Sequence, residues 1–173
     1  MGRQILAVID MQNDFIDGAL GTKEAVDIVD KVADYIRNFD GEVVFTRDTH
    51  FEGYLDTQEG RRLPVPHCIK GTKGWEICDA LKALQNEDTR IFDKLTFGST
   101  ELAEYLKNVS NLDTVVLVGL CTDICVISNA MVIKAYMPEV EVKVIESCCA
   151  GVTPESHANA LKAMQMCQVT IDG

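Results

Sequence analysis

The longest apolar runs in this sequence have the length of a β-strand, far below the roughly 20 residues that a membrane-spanning helix needs. No Pro- or Ser-rich linker, internal repeat or low-complexity tract interrupts the chain. The N-terminus lacks the long apolar segment and the cleavage site of a secretory signal. These absences argue against a membrane protein and a repeat protein, and we expect one cytoplasmic domain over residues 1–173.

Basic residues are also scarce: 16 Lys and Arg stand against 27 Asp and Glu, which gives a formal net charge of −11. An acidic surface repels nucleic-acid phosphates and anionic membranes, so neither is expected as a partner. Apolar residues at 47% and charged residues at 25% are ordinary proportions for a globular chain. A chain of 173 residues can also bury a sizeable core.

Cysteine is not scarce, but its number does not suit a disulfide framework. The chain has seven cysteines, an odd number, and several of them lie inside apolar runs. In a chain without a secretion signal, buried reduced thiols together with one reactive thiol are the better interpretation.

Short apolar segments alternate with segments of helical periodicity along the whole chain. Strands are predicted at 5–9, 42–46, 90–93, 114–118, 140–145 and 169–171. Helices are predicted at 22–38, 75–84, 100–107, 122–136 and 154–166. This alternation predicts an α/β fold with a mostly parallel six-stranded sheet and helices on both faces. The stretch 47–74 is long, polar and rich in glycine, which is typical of a functional loop.

Polar residues follow four of the predicted strands, at the point where each strand ends. Asp10 ends the first strand, and Asp48 lies just past the second. Lys94 follows the third strand, and the turn at 119–125 follows the fourth. Ligands of parallel sheets bind at the carboxyl ends of the strands, so we expect these groups to form a site at one edge.

The turn after the fourth strand contains the candidate nucleophile. Thr122 is a plausible N-cap, which would place Cys125 at position N3 of the following helix. The free amides and positive dipole of a helix N-terminus favour a thiolate, lower the pKa of the cysteine and can bind an oxyanion. Cys121 is the competing nucleophile, and the alternative for both cysteines is that they are buried core thiols.

Asp10 and Lys94 are candidates for a catalytic base and its cationic partner. Asp10 ends an apolar strand with no basic residue close by in sequence, and a buried carboxylate needs a partner. Asp10 can accept the thiol proton while Lys94 keeps the carboxylate ionised and in position. The alternative is a structural ion pair.

The long polar stretch contains a candidate metal site. Asp48 and His50 are two residues apart on an extended segment and therefore face the same side, and His67 lies further along. Two histidines and a carboxylate suit Zn²⁺, Mn²⁺ or Fe²⁺, and Glu59 can add a ligand directly or through water. The alternative is two surface histidines on a loop. His157, on the last helix, is interpreted as a surface or capping residue.

Taken together, these residues lie in motifs that resemble the isochorismatase-like cysteine hydrolases, and within them the nicotinamidases. The motifs are IDMQNDF at 9–15, TRDTH at 46–50, PHCIKGTKG at 66–74, DK at 93–94 and GLCTDICV at 119–126. The resemblance implies a three-layer α/β/α fold and a catalytic triad of Asp10, Lys94 and Cys125. It also implies a non-proline cis peptide bond at Leu120–Cys121 and an oxyanion hole formed by the amides of Cys121 and Cys125.

The resemblance further implies a metal and a substrate. In nicotinamidases the positions of Asp48, His50 and His67 bind a divalent metal, and Glu59 falls where some members have a fourth ligand. Zinc is favoured here over manganese or iron. The implied reaction is hydrolysis of nicotinamide to nicotinate and ammonia through a cysteine thioester, a step of NAD salvage, and we expect a homo-oligomer.

The expected substrate pocket departs from the nicotinamidase pattern at one wall. Phe15 matches an aromatic wall, and Phe97 is a candidate for a second. Three positions before the second histidine, where nicotinamidases often carry an aromatic residue, this chain has Pro64, with Leu63 beside it. A related amidase for another small amide or carbamoyl substrate is therefore the alternative. An alternative of another class is a non-catalytic metal or thiol sensor or scaffold.

Overall fold

A computed structural model of the chain describes residues 2–173. The strands are β1 (Arg3–Ile9), β2 (Glu42–Asp48), β3 (Arg90–Lys94), β4 (Leu112–Leu120), β5 (Glu141–Ala150) and β6 (Thr170–Asp172). The α-helices are α1 (Asn13–Ile16), α2 (Lys23–Asp27), α3 (Val29–Asn38), α4 (Gln58–Arg62), α5 (Asp79–Lys82), α6 (Thr100–Lys107), α7 (Ile127–Tyr136) and α8 (Pro154–Met166). A 3₁₀ turn covers Tyr54–Asp56, and a π-helical turn covers Thr122–Val126. Across residues 2–173, every helix is too short or too polar to cross a bilayer.

The six strands form one parallel sheet in the order β3-β2-β1-β4-β5-β6. Side chains alternate along a strand, so the buried central strand β1 supplies both faces of the sheet. Leu6 and Val8 enter one apolar core, which α2, α3 and α5 cover. Ile5, Ala7 and Ile9 enter the other core, which α6, α7 and α8 cover. The predicted three-layer α/β/α fold is therefore confirmed.

The sheet positions the site because the strand order changes direction at β1, so later strands lie on both sides of β1. β2 and β3 lie on one side and β4 to β6 on the other, so a crevice opens at the carboxyl ends of β1 and β4. Gly119, near the end of β4, has a φ of +116°, and a Cβ there would lie 2.1 Å from the carbonyl oxygen of Ile9. Only glycine permits this approach, which brings Asp10 beside the turn after β4.

Two predicted helices differ from the structure. The helix predicted at 22–38 is divided at Ile28, a buried residue whose amide closes a tight turn between α2 and α3. The helix predicted at 75–84 forms only as the short α5. Its first part forms no helix: Trp75 lies in a turn, and Ile77 pairs with Gln12 in an isolated antiparallel bridge. Contacts between distant segments therefore override the local helical pattern.

The long polar stretch at 47–74, predicted as a loop, has a structure of its own. It contains the 3₁₀ turn and α4, whose first turn is capped by Thr57. Thr57 Oγ1 accepts a hydrogen bond from the amide of Gly60 at 3.0 Å. This cap fixes the start of α4 and with it the position of Glu59.

Candidate active site

Asp10 lies directly after β1 and is fully buried. Its φ is +46°, a left-handed conformation that costs a non-glycine residue about 1–3 kcal/mol and recurs at functional sites. Oδ1 accepts a hydrogen bond from the Thr46 hydroxyl at 2.6 Å, and Thr46 Oγ1 accepts one from the Asp10 amide at 3.2 Å. The neighbouring strand β2 therefore fixes the carboxylate at the end of β1.

Lys94 ends β3, and its ammonium group is buried at the centre of the site. Nζ lies 2.5 Å from Asp10 Oδ2, 3.5 Å from Asp48 Oδ1 and 3.5 Å from Cys125 Sγ. It also donates to the carbonyl of Thr96 at 3.1 Å. The structure thus brings together Asp10, Lys94 and Cys125, which we call the thiol cluster.

Cys125 lies in the π-helical turn after β4, where the local geometry differs from the prediction. Cys121 occupies the N-cap position instead of Thr122, and this turn has no side-chain cap. The α-helix predicted at 122–136 begins only at Ile127. Cys125 therefore lies one residue further into the turn than the expected position N3.

The backbone of this turn carries the amides expected to bind an oxyanion. The carbonyl of Cys121 accepts hydrogen bonds from the amides of Ile124 at 3.1 Å and Val126 at 3.0 Å. Within residues 2–173, the amide of Cys125, between these two donors, does not join them. The expected cis peptide bond between Leu120 and Cys121 is present. The amides of Cys121 and Cys125 remain the candidate oxyanion donors.

Burial governs the protonation of the thiol cluster. It raises the pKa of the Cys125 thiol well above its usual range; the Lys94 ammonium lowers that pKa, and the Asp10 carboxylate raises it further. The expected low pKa of Cys125 is therefore wrong, because desolvation outweighs the charge of Lys94. Burial also raises the pKa of Asp10, which Lys94 only partly offsets. Burial alone would lower the pKa of Lys94, but the charge of Asp10 outweighs it and preserves the ammonium form. The resting sulfur is a neutral thiol that needs a base.

A second group of side chains lies next to Lys94, and we call it the ligand cluster. Its members are Asp48, His50, Glu59 and His67, whose ligand atoms all lie within 4.8 Å of one another. His50 Nε2 lies 3.0 Å from Asp48 Oδ2 and 3.6 Å from Glu59 Oε1. His67 Nε2 lies 3.6 Å from Asp48 Oδ2 and 3.7 Å from Glu59 Oε1. Tetrahedral ligands at about 2.0–2.2 Å from an ion are roughly 3.3–3.6 Å apart, so the donors fit a divalent metal such as zinc.

Gln12 has no role in the predictions from sequence, yet it holds the backbone of Asp48 on both sides. The Asp48 amide donates to Gln12 Oε1 at 2.7 Å, and Gln12 Nε2 donates to the Asp48 carbonyl at 2.8 Å. Nε2 also donates to the carbonyl of Trp75 at 2.9 Å, and Gln12 is fully buried. The available signal was a polar amide side chain two residues after Asp10, close to the end of an apolar strand.

The histidines of the ligand cluster are oriented by their neighbours. His67 Nδ1 donates to the carbonyl of Val65 at 2.8 Å, which leaves the lone pair of Nε2 for a metal. Tyr54 packs edge-on against His50 and His67, with ring centroids 4.7 and 5.1 Å away. Its hydroxyl donates to the carbonyl of Leu63 at 2.8 Å. Sequence reasoning missed Tyr54 because one aromatic residue in a polar loop carries no periodic signal.

Both clusters adjoin one cavity of about 750 Å³. Cys121 and Cys125 line one side of it, and the ligand cluster also contributes to its lining. The predicted substrate-binding residues Phe15, Leu63 and Phe97 line it as well. Phe15 is buried, whereas Leu63 is 38% exposed and Phe97 39% exposed, which places these two nearer to the solvent.

Comparison with known proteins identifies the family. The sequence profile of the isochorismatase domain matches residues 4–173. The chain belongs to the isochorismatase family. Its fold and its matched length are thus those of an isochorismatase-family domain.

Three solved structures resemble this isochorismatase-family chain over nearly their whole length. Pyrazinamidase of Pyrococcus horikoshii in complex with zinc is 31% identical, with a TM-score of 0.83 and 98% of each chain covered. Pyrazinamidase/nicotinamidase of Streptococcus mutans is 32% identical over 97% of this chain and 99% of that chain, with a TM-score of 0.82. N-carbamoylsarcosine amidase of Thermoplasma acidophilum is 28% identical over 98% and 95%, with a TM-score of 0.78. These likenesses support amidohydrolase activity.

Proposed function

We propose that this isochorismatase-family chain is a cysteine-dependent amidase that hydrolyses nicotinamide to nicotinate and ammonia. The observation that carries the proposal is the meeting of a thiol, a carboxylate and an ammonium group beside a cavity that also adjoins a metal-binding donor set. The relatives named pyrazinamidase and nicotinamidase share the fold and support this class of substrate.

In the first half of the reaction, Asp10 removes the proton of the Cys125 thiol, and Sγ bonds to the carboxamide carbon. The raised pKa of the buried Asp10 makes it a stronger base than an ordinary carboxylate. The carboxamide oxygen becomes an oxyanion and accepts hydrogen bonds from the amides of Cys121 and Cys125. Asp10 then gives the proton to the departing nitrogen, the C–N bond breaks, and ammonia leaves a thioester on Cys125.

In the second half, water hydrolyses the thioester. Asp10 accepts a proton from the water, whose oxygen bonds to the thioester carbon. The C–S bond then breaks, nicotinate leaves, and the sulfur of Cys125 recovers its proton from Asp10. Lys94 remains an ammonium group throughout, because the charge of Asp10 keeps its pKa high despite burial, and it offsets the negative charge on either partner.

The ligand cluster and the cavity walls orient the ring. A divalent cation, with zinc favoured, would be held by the four residues of the ligand cluster and supplies a Lewis acid for the lone pair of a pyridine nitrogen. Phe15 packs on the ring from the buried side of the cavity, and Leu63 and Phe97 contact it from the exposed side. The carboxamide then faces Cys125.

The test is to measure amide turnover and metal content on one purified sample. Nicotinamide should release ammonia, and elemental analysis should find a stoichiometric divalent metal. The double variant His50→Ala/His67→Ala should lose the metal and bind nicotinamide poorly, with its circular dichroism unchanged. No ammonia from nicotinamide in a metal-replete sample would refute the substrate. Unchanged metal content in the double variant would refute the metal site.

A carbamoyl or ureido amide is the second candidate substrate, and three observations favour it. N-carbamoylsarcosine amidase shares the fold. Leu63 lines the wall next to Pro64, where nicotinamidases often carry an aromatic residue. Arg62 also lines the cavity, and a guanidinium group suits a substrate that carries a carboxylate. Ammonia release from N-carbamoyl amino acids and from nicotinamide, compared by kcat/KM, ranks the two candidates.

A further inference from the structure

Thr122 and His157 form a contact that the reaction above does not use. Thr122 Oγ1 lies 2.7 Å from His157 Nδ1, and Thr122 is fully buried in the turn that carries Cys125. The prediction of Thr122 as a helix cap is wrong, whereas His157, predicted as a surface or capping residue, is partly exposed and contacts Thr122. The hydroxyl caps no helix, and the imidazole, which is only partly exposed, contacts the nucleophile turn.

His157 is held firmly at the start of α8. The helix begins with a capping box: the Ser156 amide donates to Thr153 Oγ1 at 3.1 Å, and the Thr153 amide donates to Ser156 Oγ at 3.0 Å. The preceding chain also packs onto the histidine, since a Cβ at Gly151 would lie 2.9 Å from His157 Cα. The imidazole therefore comes from a fixed helix start, which suits a positioning role.

A second contact joins the same two segments. The amide of Val152 donates to the carboxylate of Asp123, at 3.1 Å to Oδ1 and 3.3 Å to Oδ2. Two successive residues of the nucleophile turn, Thr122 and Asp123, are thus tied to the segment between β5 and His157. Since the turn has no side-chain cap of its own, these bonds from α8 and the residues before it stand in for one.

We propose that the hydrogen bond between Thr122 and His157 positions the two amides that bind the oxyanion. Thr122 lies between Cys121 and Cys125, so a rotation of the turn at Thr122 moves both amides relative to the substrate. Neither Thr122 nor His157 lines the cavity, so both act through the backbone and not by touching substrate. This role rests on the proposed amidase function and extends it to α8.

Two pairs of variants test the contact. Thr122→Val and His157→Leu remove the hydrogen bond with little change in volume. Thr122→Ser and His157→Asn keep it, because the asparagine amide places a polar atom near the position of Nδ1. Each variant of the first pair should lower kcat about 10-fold at unchanged KM, since oxyanion donors act on the transition state. Each variant of the second pair should keep kcat near that of the wild type. The double variant Thr122→Val/His157→Leu should lose no more than either single variant.

Three controls separate positioning from stability. Alkylation of Cys125 by iodoacetamide, followed by peptide mass spectrometry, needs the thiolate but no oxyanion, so its rate should be unchanged. Pyridine-3-carboxaldehyde adds the thiol across its carbonyl, and the oxygen of the thiohemiacetal occupies the oxyanion site. Its protection of Cys125 against alkylation should weaken about 10-fold in the variants without the bond. Ser99→Ala removes the side-chain cap of α6, which is not part of this contact, and should lower Tm while leaving kcat unchanged.

The outcomes distinguish this contact from the proposed function. Wild-type kcat in Thr122→Val, measured well below its Tm, would overturn the positioning role. An alkylation rate that falls as much as kcat would also overturn it, because the effect would then lie on the sulfur. If the wild type releases no ammonia from any amide but is protected by the aldehyde, the amidase proposal fails and the protection assay still decides the contact. If the wild type shows no turnover of any amide and no protection by the aldehyde, both the amidase proposal and the positioning proposal are refuted.

Discussion

The thiol cluster and the ligand cluster meet at Lys94, but the fold builds them in different ways. The thiol cluster uses the ends of β1 and β3 and the turn after β4, so the regular spacing of a parallel sheet sets its positions. The ligand cluster takes only Asp48 from a strand end. Its other three members come from the segment between β2 and α5, which is shaped by α4, Tyr54 and several loop hydrogen bonds. The thiol cluster should therefore lose its function when one of its own reactive groups is removed. The ligand cluster should also be weakened when a residue that supports it is replaced.

The two clusters also differ in what surrounds them. Asp10 and Lys94 are enclosed by protein, so desolvation raises the pKa of Asp10 and of the Cys125 thiol, whereas at Lys94 the charge of Asp10 outweighs desolvation. The ligand cluster forms part of the cavity wall. Lys94 links the two through contacts of 2.5 Å to Asp10 and 3.5 Å to Asp48. One buried cation therefore serves two anionic sites, and variants that leave Lys94 intact can test each site alone.

The largest effect is expected from removal of the nucleophile. Cys125→Ala should lower kcat by at least about 10⁴-fold, because no other group can form the thioester. Metal content and Tm should stay near those of the wild type, since the ligand cluster makes no hydrogen bond to the sulfur in the described residues. Ammonia release and elemental analysis measure the two effects. Cys121→Ala is the matched control in the same cavity and should keep most of its kcat, because only its backbone is assigned a role. Substantial turnover by Cys125→Ala would end the nucleophile assignment.

An intermediate effect is expected from removal of a support of the ligand cluster. Gln12→Met deletes the hydrogen bonds to both backbone groups of Asp48 and should weaken metal binding about 10–100-fold. The rate of Cys125 alkylation should change far less, because the Gln12 side chain makes no hydrogen bond to the thiol cluster within residues 2–173. The bond from the Gln12 backbone amide to the Asp10 carbonyl is kept in the variant. Competition with a chelator measures the metal affinity. Gln85→Met replaces another glutamine, one whose buried Nε2 has no partner in the described chain, and serves as the control. Equal metal affinity in both variants would show that the clamp is dispensable.

The same difference explains what the sequence could predict. Alternating apolar runs are a local signal, and the carboxyl ends of parallel strands meet at one edge, so Asp10, Lys94 and Cys125 could be placed together before the structure was known. Gln12 and Thr46 were missed because they act through contacts between residues 36 positions apart. Such pairings depend on strand register, which no local pattern specifies.

Predictions from neighbouring residues in sequence also failed where distant parts of the fold surround a side chain. The helix N-terminus is a local feature and predicted a low pKa for Cys125, but burial of the thiol raises that pKa. Thr122 matched the composition of a cap, yet a histidine from the last helix takes its hydroxyl. Neither effect can be read from the residues around the turn, since His157 lies 35 positions away.

The smallest effect is a pH dependence of the thiol cluster that the ligand cluster should not share. Burial raises the pKa of Asp10, with the Lys94 ammonium only partly offsetting it, so this carboxylate takes up a proton at a higher pH than an ordinary aspartate. Only the ionised carboxylate can accept the thiol proton. Alkylation of Cys125 should therefore slow about tenfold for each pH unit below that pKa. The folded state binds this proton more tightly than the unfolded chain, so the stabilisation is present at low pH and is lost as pH rises through the raised pKa. Protonation of Asp10 alone thus stops the reaction without destabilising the fold, and activity should return at neutral pH.

The origin of this acid limb can be assigned by removing the ligand cluster. Loss of metal at low pH would also lower turnover, so alkylation, which needs no metal, is measured in the wild type and in His50→Ala/His67→Ala. The same limb in both proteins assigns it to Asp10, since the double variant keeps the whole thiol cluster. A limb that disappears in the double variant belongs to the histidines, and a limb at the pKa of an exposed aspartate contradicts the effect of burial. Either result would mean that a raised pKa of Asp10 in the thiol cluster does not set the acid limb.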